Sequence, residues 1–535
     1  MSAGNMSSPS SPQVPGGAAA TPTPGASTLV AAAMDALNGS PWAAATIVGS
    51  VLVASFVLHT IVEWYRLSHI PGPFLASISR YWVIRESLRG RLPQSLKKLN
   101  DKHGPLVRIG PNDLVTSDVS VLRKMMQVRS PYTRGPWYDA WRLDPTRDNL
   151  FSMRDEDAHT LLRSKMAAGY SGKENLSMET TIETNISRLV DLIERKYIST
   201  SREYRPMDFG EKGQFFTLDV ISELAFGEPL GYLERDDDQY DYIKITTASI
   251  PAMLILSCVP TLANIIQSRF LRFLLPKETD KIGFGAFIGV TNRVVANRFK
   301  SDTPEQQDML GSFIRHGLNQ EEASGEAVLQ IVAGSDTSAT TIRCAMLYLM
   351  SNPPAYRKLQ TEIDEAIAAG KISSPIQDSE ARQLPYLQAV IKEAIRMLPP
   401  AGGTFFKEVP PGGDVICGKF VPGGTQVGSS ALAIHHDKKT FGEDAESFRP
   451  ERWLNKDAEK VDRMRQTVDM VFHSGKWQCP GKTVALMEFN KIFVELLRRF
   501  EWSLVNPFTA AKLNNAGVWM FDDFYVRVTR RNSDE

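Results

Sequence analysis

The sequence predicts a mainly helical chain with small β-sheets, of the α+β class, behind a single membrane-spanning helix. Short strand-like runs bounded by turn residues, such as Leu106–Gly110, are scattered along the chain. Because strands and long helices do not alternate, a parallel sheet is not expected. Amphipathic helical patterns dominate, and the clearest cover Met178–Tyr197, Asn319–Ser351, Pro385–Leu398 and Lys482–Phe500.

The 535 residues are balanced in charge, with 61 Lys and Arg against 61 Asp and Glu. The chain therefore has no net charge that would attract it to nucleic acid, and no nucleic-acid partner is expected. The four cysteines lack the paired spacing of a structural zinc site or a disulfide framework. The folded part is therefore expected to lie in a reducing compartment such as the cytosol.

Residues 1–41 are rich in Ser, Pro, Ala, Gly and Thr and are nearly uncharged. Such a segment buries too little apolar surface to offset the entropy of ordering, so a disordered tail is predicted. The tail carries two sequons for N-glycosylation, at Asn5 and at Asn38, the second very close to the membrane. Asn5 is the candidate acceptor if the tail faces a lumen, and unmodified asparagines are the alternative.

Trp42–Val62 is an uncharged apolar run close to the length of about 20 residues that a membrane-spanning helix needs. A cleaved signal peptide is the alternative, but such peptides usually start at the N-terminus with a basic region. Arg66 and Arg80 follow the run, and no Lys or Arg precedes it. This asymmetry predicts a single-pass anchor at 42–62 with the larger C-terminal part in the cytosol.

The segment 63–73 includes most of His69–Phe74 (HIPGPF), whose prolines fix the backbone direction and end a helix. It is predicted to be a stiff hinge ahead of one folded domain at 74–535. Within that domain Ile245–Ser268 has no charged residue, but its prolines disfavour a second membrane span. That run is either ordinary core or an interfacial helix that admits apolar substrates.

The stretch FHSGKWQCPG, residues 472–481, places Cys479 before Pro480 and a helical pattern. Pro480 suits the first position of that helix, where its missing N–H costs nothing. Backbone N–H groups and the helix dipole would then favour a thiolate. Gly475 lets the backbone approach a flat partner, and Phe472 covers one side. Such a sulfur suits a haem iron ligand, although a lone buried cysteine is more often a small hydrophobe.

A second motif, AGSDTS at Ala333–Ser338, lies inside a predicted helix. Gly334 in mid-helix costs about 1 kcal/mol relative to alanine, which implies a reason such as the close approach of a ligand. Thr337 can bond the carbonyl group of Ala333, and Asp336 beside it is a titratable group on a proton path. The alternative is a glycine that packs two helices and a solvated aspartate.

The cysteine loop resembles the haem-binding loop of the cytochrome P-450 family, with Phe472, Gly475, Cys479 and Gly481 at the family's positions. The resemblance extends from the proline-rich segment to the C-terminus. It implies that residues 74–535 form a haem-binding catalytic domain with the helix-rich P-450 fold. Haem b would lie between the long central helix and the helix after the cysteine, with the Cys479 thiolate as axial ligand.

Other basic residues match the family's contacts with the haem propionates. His159 and Arg163, four residues apart, resemble its propionate-binding pair, and Lys407 matches a further basic position. Ordinary surface residues are the alternative. The loop departs from the family pattern at Trp477, where the family normally has a basic residue, and the neighbouring Lys476 is expected to replace part of that contact.

In the resembling family, the AGSDTS helix forms the oxygen pocket. Ala333 and Gly334 would leave space for O2, and Asp336 with Thr337 would supply protons.

Glu393 and Arg396, three residues apart, would by themselves form a common exposed ion pair worth about 0.2–0.5 kcal/mol. The resemblance instead implies a buried network with Arg452, in the segment FRPERW, that holds the cysteine loop. The role of these three residues would then be structural.

The resemblance implies a haem-thiolate monooxygenase that inserts one oxygen atom from O2 into a lipophilic small molecule, by hydroxylation, epoxidation or demethylation. The loop is similar to those of fungal microsomal members such as the pisatin demethylase group, which tailor secondary metabolites such as terpenoids or polyketides. Electrons are expected from NADPH through a separate NADPH-cytochrome P-450 reductase that docks near Lys476 and Lys482, at the endoplasmic reticulum membrane. The alternatives are a haem-thiolate isomerase or dehydratase, and a non-catalytic haem-binding protein.

Overall fold

A computed structural model describes the chain at Met1, 41–300 and 304–531. The chain divides into two units, Met1–Val62 and Glu63–Glu535. Apart from its two ends, the predicted tail lies outside the described residues, and so do the sequons at Asn5 and Asn38.

Helix α1 (Pro41–Arg66) contains the predicted anchor. Its stretch Ala44–Arg66 is long and apolar enough to cross a membrane, with a mean hydropathy of 2.1. In the described structure no residue of its apolar window is buried. The helix continues past the predicted end at Val62 because no helix-breaking residue follows before the prolines at 71 and 73.

Helices supply most of the second unit, and strands are short. The helices are α2 (Phe74–Ile78), α3 (Tyr81–Leu88), α4 (Leu92–His103), α5 (Val119–Met126), α6 (Glu156–Tyr170), α7 (Met178–Leu192), α8 (Phe209–Phe226), α9 (Tyr232–Arg235), α10 (Tyr242–Cys258), α11 (Pro260–Ile266), α12 (Gly283–Arg298), α13 (Met309–Arg315), α14 (Gln320–Ser351), α15 (Pro353–Ala368), α16 (Asp378–Ala381), α17 (Pro385–Met397), α18 (Ala431–His435), α19 (Lys438–Phe441), α20 (Ala458–Val468) and α21 (Lys482–Arg499). The strands are β1 (Leu106–Arg108), β2 (Asp113–Thr116), β3 (Thr133–Arg134), β4 (Met207–Asp208), β5 (Lys407–Glu408), β6 (Asp414–Ile416), β7 (Lys419–Val421), β8 (Gln426–Ser429), β9 (Phe500–Leu504), β10 (Lys512–Asn515), β11 (Trp519–Asp522) and β12 (Tyr525–Arg530).

The largest sheet has the strand order β1-β2-β8-β5-β3, and β4-β12-β9 form a second sheet. Strands β10 and β11 form a hairpin, as do β6 and β7. Strands β2 and β8 pair in parallel, with Leu114 opposite Val427, and the other pairs in these two sheets are antiparallel, so neither described sheet is a parallel sheet. These two strands lie far apart in the sequence, so an alternation of neighbouring strands and helices cannot reveal their pairing.

The four clearest predicted helices are present as α7, α14, α17 and α21. Helix α14 starts after Asn319, whose side chain accepts a hydrogen bond from the N–H of Glu322 at 2.8 Å. The Glu322 carboxylate in turn accepts from the N–H of Asn319 at 3.0 Å, which completes a capping box. Most of α14 is buried against α8, α17 and α21, and the main hydrophobic core surrounds it.

The predicted hinge at 63–73 is fastened to the large sheet. The buried guanidinium of Arg108 donates to the carbonyl groups of Glu63 at 2.9 Å and Trp64 at 3.1 Å. Leu67 is fully buried in a core cluster with residues of that sheet. These contacts hold the start of the segment against the sheet, and its behaviour as a stiff hinge stays a prediction.

The apolar run Ile245–Ser268 forms α10 and α11, which meet at a bend of 118°. Ile250 and Leu254 of α10 are buried, whereas Leu262 and Ile265 of α11 are exposed. The run is therefore not one straight helix. Its first half belongs to the core, and its second half presents apolar side chains at the surface.

Candidate active site

A cavity of about 320 Å³ lies between α14 and the loop that precedes α21. Cys479 faces it from the loop, and Ala333 and Thr337 face it from the helix. Further walls are aromatic, and neighbouring rings pack against one another with centroids 5.0–6.3 Å apart. These aromatic residues are Trp137, Tyr138, Trp141, Phe151 and Phe405. Such walls favour a lipophilic ligand.

The Cys479 sulfur lies deep in the protein but is exposed to the cavity. Helix α21 begins at Lys482 with Gly481 as its cap, so Pro480 precedes the helix rather than occupying its first position. Burial raises the pKa of the thiol, and the N–H of Gly481, the Arg163 guanidinium and the N–H of Lys482 partly offset this rise. Since a bound metal ion deprotonates a coordinating thiol, these donors suit a thiolate ligand.

The other residues of the loop set its shape. Gly475 has a φ of 60°, and a Cβ there would lie 2.5 Å from the carbonyl oxygen of Met126. The glycine is thus required by the backbone of α5, whereas a flat partner was the expected neighbour. The carbonyl group of Phe472 accepts a hydrogen bond from the N–H of Cys479 at 2.7 Å, which closes the loop. A Cβ at Gly481 would lie 3.8 Å from the Cys479 sulfur.

Across the cavity, the Thr337 hydroxyl donates to the carbonyl oxygen of Ala333 at 2.9 Å, while the helix remains continuous. A Cβ at Gly334 would lie 2.7 Å from Cγ1 of Ile221 on α8. Close packing between two helices therefore explains this glycine, rather than the expected approach of a ligand.

Asp336 is 8% exposed, so it is not a solvated aspartate. Its Oδ1 accepts from the Gln214 amide at 2.6 Å, and the Gln214 oxygen accepts from Arg343 at 2.8 Å. Oδ2 has no hydrogen-bond partner within the part of the chain that the structure describes. Burial raises the pKa of Asp336 to about 6, against the opposing effects of Arg343 and Gln214. A carboxyl with such a pKa exchanges protons near neutral pH.

The predicted propionate contacts, His159, Arg163 and Lys407, all line this cavity. The structure adds Arg134, which is the direct cross-strand partner of Lys407 in the antiparallel pair β3–β5. Both residues are buried. Like charges directly opposite each other destabilise a sheet, so this arrangement calls for a negative charge nearby.

Among the described residues, no carboxylate pairs directly with these basic groups. Lys407 Nζ, Arg134 Nε and His159 Nδ1 are buried and have no hydrogen-bond partner among residues 41–300 and 304–531. Burial and then Arg134 lower the pKa of Lys407 to about 6. Burial, Arg134 and Arg163 lower the pKa of His159 to about 3. Buried polar atoms are nearly always paired, so the cluster fits the two carboxylates of haem b, with Cys479 as the ligand of its iron.

Trp477 lies among these cations. Its ring centroid is 3.4 Å from Lys407 Nζ, 4.3 Å from the Arg134 guanidinium and 4.4 Å from the His159 ring. Lys476, which was expected to replace part of the missing basic contact, pairs with the carboxylate of Glu156 instead.

Glu393, Arg396 and Arg452 form a buried network. Nε and Nη2 of Arg396 donate to the two carboxylate oxygens of Glu393 at 2.9 and 2.8 Å, and Arg452 donates to the same carboxylate at 2.9 Å. Trp453 also donates to it, at 2.9 Å. The exposed-pair alternative is wrong because the turn Pro450–Leu454 covers this face of α17.

Sequence reasoning missed three residues of the site, Arg134, Gln214 and Glu488. Glu488 on α21 lines the cavity, and burial raises its pKa to about 8, although a hydrogen bond from Ser338 lowers it in part. A carboxylate inside the apolar stretch after Cys479 was a usable signal. No local pattern distinguishes Arg134 or Gln214, because tertiary packing places Arg134 in the cavity wall and Gln214 against Asp336.

The comparisons with known proteins agree with this geometry. Residues 71–518 match the model of the family Cytochrome P450. The chain is 42% identical over 494 residues to the cytochrome P450 monooxygenase ABA1 of Pyricularia oryzae, covering 90% of this chain and 96% of the relative. It is 40% identical over 473 residues to aba1 of Botryotinia fuckeliana, with coverage of 88% and 93%. It is 36% identical over 480 residues to abl1 of Leptosphaeria maculans, with coverage of 88% and 84%.

The family match covers most of the chain, and the three relatives are fungal cytochrome P450 monooxygenases. The predicted family, the helix-rich fold and the assignment as an oxidoreductase are thereby confirmed. The chain belongs to the cytochrome P450 family.

Proposed function

We propose that the chain is a membrane-anchored haem-thiolate monooxygenase that inserts one oxygen atom from O2 into a lipophilic secondary metabolite, such as a terpenoid or a polyketide. One observation carries the proposal. The cavity places the Cys479 sulfur on one side and Thr337 with Asp336 on the other, between aromatic walls. The fungal relatives support this class of activity.

Haem held by a cysteine thiolate binds O2 and, with electrons and protons supplied, supports insertion of oxygen into a C–H or C=C bond. Cys479 would hold its iron through the thiolate. The carboxylates of the haem would lie among the basic residues of the cavity wall, where buried nitrogen atoms have no hydrogen-bond partner among the described residues. These residues are Arg134, His159, Arg163 and Lys407.

The opposite wall would handle protons. Asp336, with a pKa of about 6, can hold a proton on its free Oδ2 and pass it into the cavity. The hydroxyl hydrogen of Thr337 is engaged by the carbonyl group of Ala333, so its oxygen is left to accept a hydrogen bond from water. The aromatic walls would exclude other water and orient an apolar substrate by contact.

Electrons would come from NADPH through a separate reductase, with α1 in the endoplasmic reticulum membrane and the catalytic unit in the cytosol. The apolar stretch Ala44–Arg66 supports an anchor. Lys476 pairs with Glu156 and is largely buried, so it does not suit the docking role first expected of it. Lys482 pairs with Asp469 at 3.4 Å and is partly exposed, and it stays a candidate.

The test is reconstitution of the full chain with haem and NADPH-cytochrome P450 reductase. We expect a thiolate-type ferrous–CO spectrum, and product formation that requires both NADPH and O2. Turnover of an oxygenated substrate without NADPH would indicate an isomerase or dehydratase. A thiolate spectrum with no turnover of metabolites that accumulate after gene deletion would indicate a binding protein. Feeding those metabolites would also distinguish hydroxylation, epoxidation and demethylation.

A further inference from the structure

We propose that Trp477 replaces a cation in the haem site. Its indole N–H donates a hydrogen bond to a haem carboxylate, and its ring holds Lys407 and Arg134 in position. Trp477 is thus a positioning residue as well as a ligand contact. The inference rests on the haem site of the proposed function, and it concerns the position at which this chain departs from the family pattern.

The first observation is an unpaired donor. Trp477 is 6% exposed, and its Nε1 has no hydrogen-bond partner in the described ranges of the chain. The residue lines the cavity. Arg134 is a donor only, and neither Lys407 nor the His159 ring, whose centroid lies 4.4 Å from that of Trp477, accepts from the indole N–H. The acceptor must therefore be a group that enters the cavity, and a carboxylate matches both this N–H and the surrounding positive charge.

The second observation is the position of the ring. Lys407 Nζ at 3.4 Å and the Arg134 guanidinium at 4.3 Å from its centroid are both within the range of cation–π attraction. The same two residues face each other across β3 and β5. The ring gives the Arg134 guanidinium a favourable contact without a carboxylate, and it gives Lys407 the same contact once this amine is protonated beside the carboxylate.

A basic residue at position 477 would act in the opposite direction. It would remove the π face and add a positive charge next to Lys407 and Arg134. Glu156 is the carboxylate that interacts electrostatically with both Lys407 and Arg134, and it already forms an ion pair with Lys476. Restoring the residue type that the family normally has should therefore weaken haem binding in this chain.

The experiment uses the full chain in detergent, loaded with haem, and follows haem transfer to an excess of apomyoglobin. Trp477→Phe keeps the ring and loses the N–H, so haem should leave about tenfold faster. Trp477→Leu also loses the ring, and the rate should rise about a hundredfold. Trp477→Arg should lose haem at least as fast as Trp477→Leu. The propionate bending band in the resonance Raman spectrum should shift in Trp477→Phe.

Trp502→Phe is the matched control. The buried Trp502 donates to the carbonyl group of Leu496 at 3.5 Å and does not line the cavity, so its substitution should leave haem transfer and the propionate band unchanged.

Two results would overturn the inference. One is haem retention by Trp477→Arg equal to or better than that of the wild type, which would make the indole and a cation interchangeable. The other is an unchanged rate and propionate band in the conservative Trp477→Phe variant, which would leave the N–H without a carboxylate acceptor. Both results presuppose that the variants keep the thiolate-type CO spectrum. Its absence in the wild type would overturn the haem site and this inference together.

Discussion

Two buried clusters of charge in this protein differ in one respect. Around Glu393, the guanidinium groups of Arg396 and Arg452 find carboxylate and carbonyl oxygens within the chain. Around the cavity, Lys407 and Arg134 are equally buried, but Lys407 Nζ and Arg134 Nε have no hydrogen-bond partner among the described residues. The first cluster is complete and holds the fold. The second is incomplete and therefore marks where a charged ligand belongs.

The largest effect should come from breaking the complete cluster. Glu393→Gln leaves Arg396 buried without a carboxylate partner and leaves Arg452 with only the partly exposed Asp444, so the free energy of unfolding should fall by about 3–5 kcal/mol. Chemical unfolding of the haem-loaded protein measures the loss. Arg382→Met is the control, because its pair with Asp378 is half exposed and worth at most about 1 kcal/mol. Equal losses in the two variants would contradict a structural role for the buried network.

The incomplete cluster should respond in the opposite way. Lys407→Met removes a buried amine that lacks a partner, so at about pH 7 the haem-free protein should be at least as stable as the wild type. Haem should nevertheless dissociate about tenfold faster, because one charge-assisted contact is lost. Chemical unfolding without haem and haem transfer measure the two effects.

Lys491→Met is the matched comparison for that variant, because Lys491 is also buried but pairs with Glu179 at 2.7 Å and Glu183 at 2.6 Å. This variant should be clearly destabilised without haem. Similar behaviour of the two lysine variants would show that the clusters do not differ as described.

A pH series sharpens the comparison further. The pKa of Lys407 is lowered from 10.5 to about 6 in the folded chain, so between these values the unfolded chain binds a proton that the native chain does not. The free energy of unfolding of the haem-free protein should therefore rise with pH above 6, by up to about 1.4 kcal/mol per pH unit. Chemical unfolding between about pH 7 and pH 9, which lies between these two pKa values, measures this rise. The rise should be missing in Lys407→Met, and its persistence there would assign it to another group.

Asp336 is intermediate between the complete and the incomplete cluster. One of its carboxylate oxygens accepts a hydrogen bond from Gln214, and the other has no partner among the described residues. With a folded pKa of about 6, the carboxyl loses its proton as the pH rises, so product formed per NADPH should fall through this range. Gln214 lowers that pKa, and Gln214→Leu should therefore move the midpoint upward by about one pH unit. Asp336→Asn should remove the dependence. An unmoved midpoint in Gln214→Leu would exclude this carboxyl as the titrating group.

The sequence predicted those parts of the site that lie in one continuous stretch of the chain. The loop around Cys479 and the AGSDTS motif are continuous stretches, and their glycines, hydroxyl and sulfur were identified without coordinates. The sequence did not reveal why Gly475 and Gly334 are glycines, because Met126 and Ile221 approach them from other elements.

Pairing between distant elements explains the other misses. Arg134 joins the cation cluster only because β3 pairs with β5. The burial of Glu393 was implied by the family resemblance alone, because the turn Pro450–Leu454 that covers α17 lies far along the chain. A helical wheel drawn for α17 alone places Glu393 on a solvent face. Trp477 was recognised as a departure from the family pattern, but its contacts with two cations depend on the same strand pairing.

The central claim is that Cys479 supplies a thiolate to haem iron in this cavity, and the ferrous–CO spectrum of the purified full chain tests it most directly. The wild type should show the red-shifted Soret band of thiolate-ligated haem, and Cys479→Ser should lose that band. A wild-type band typical of a nitrogen ligand, or a thiolate-type band retained by Cys479→Ser, would contradict the account.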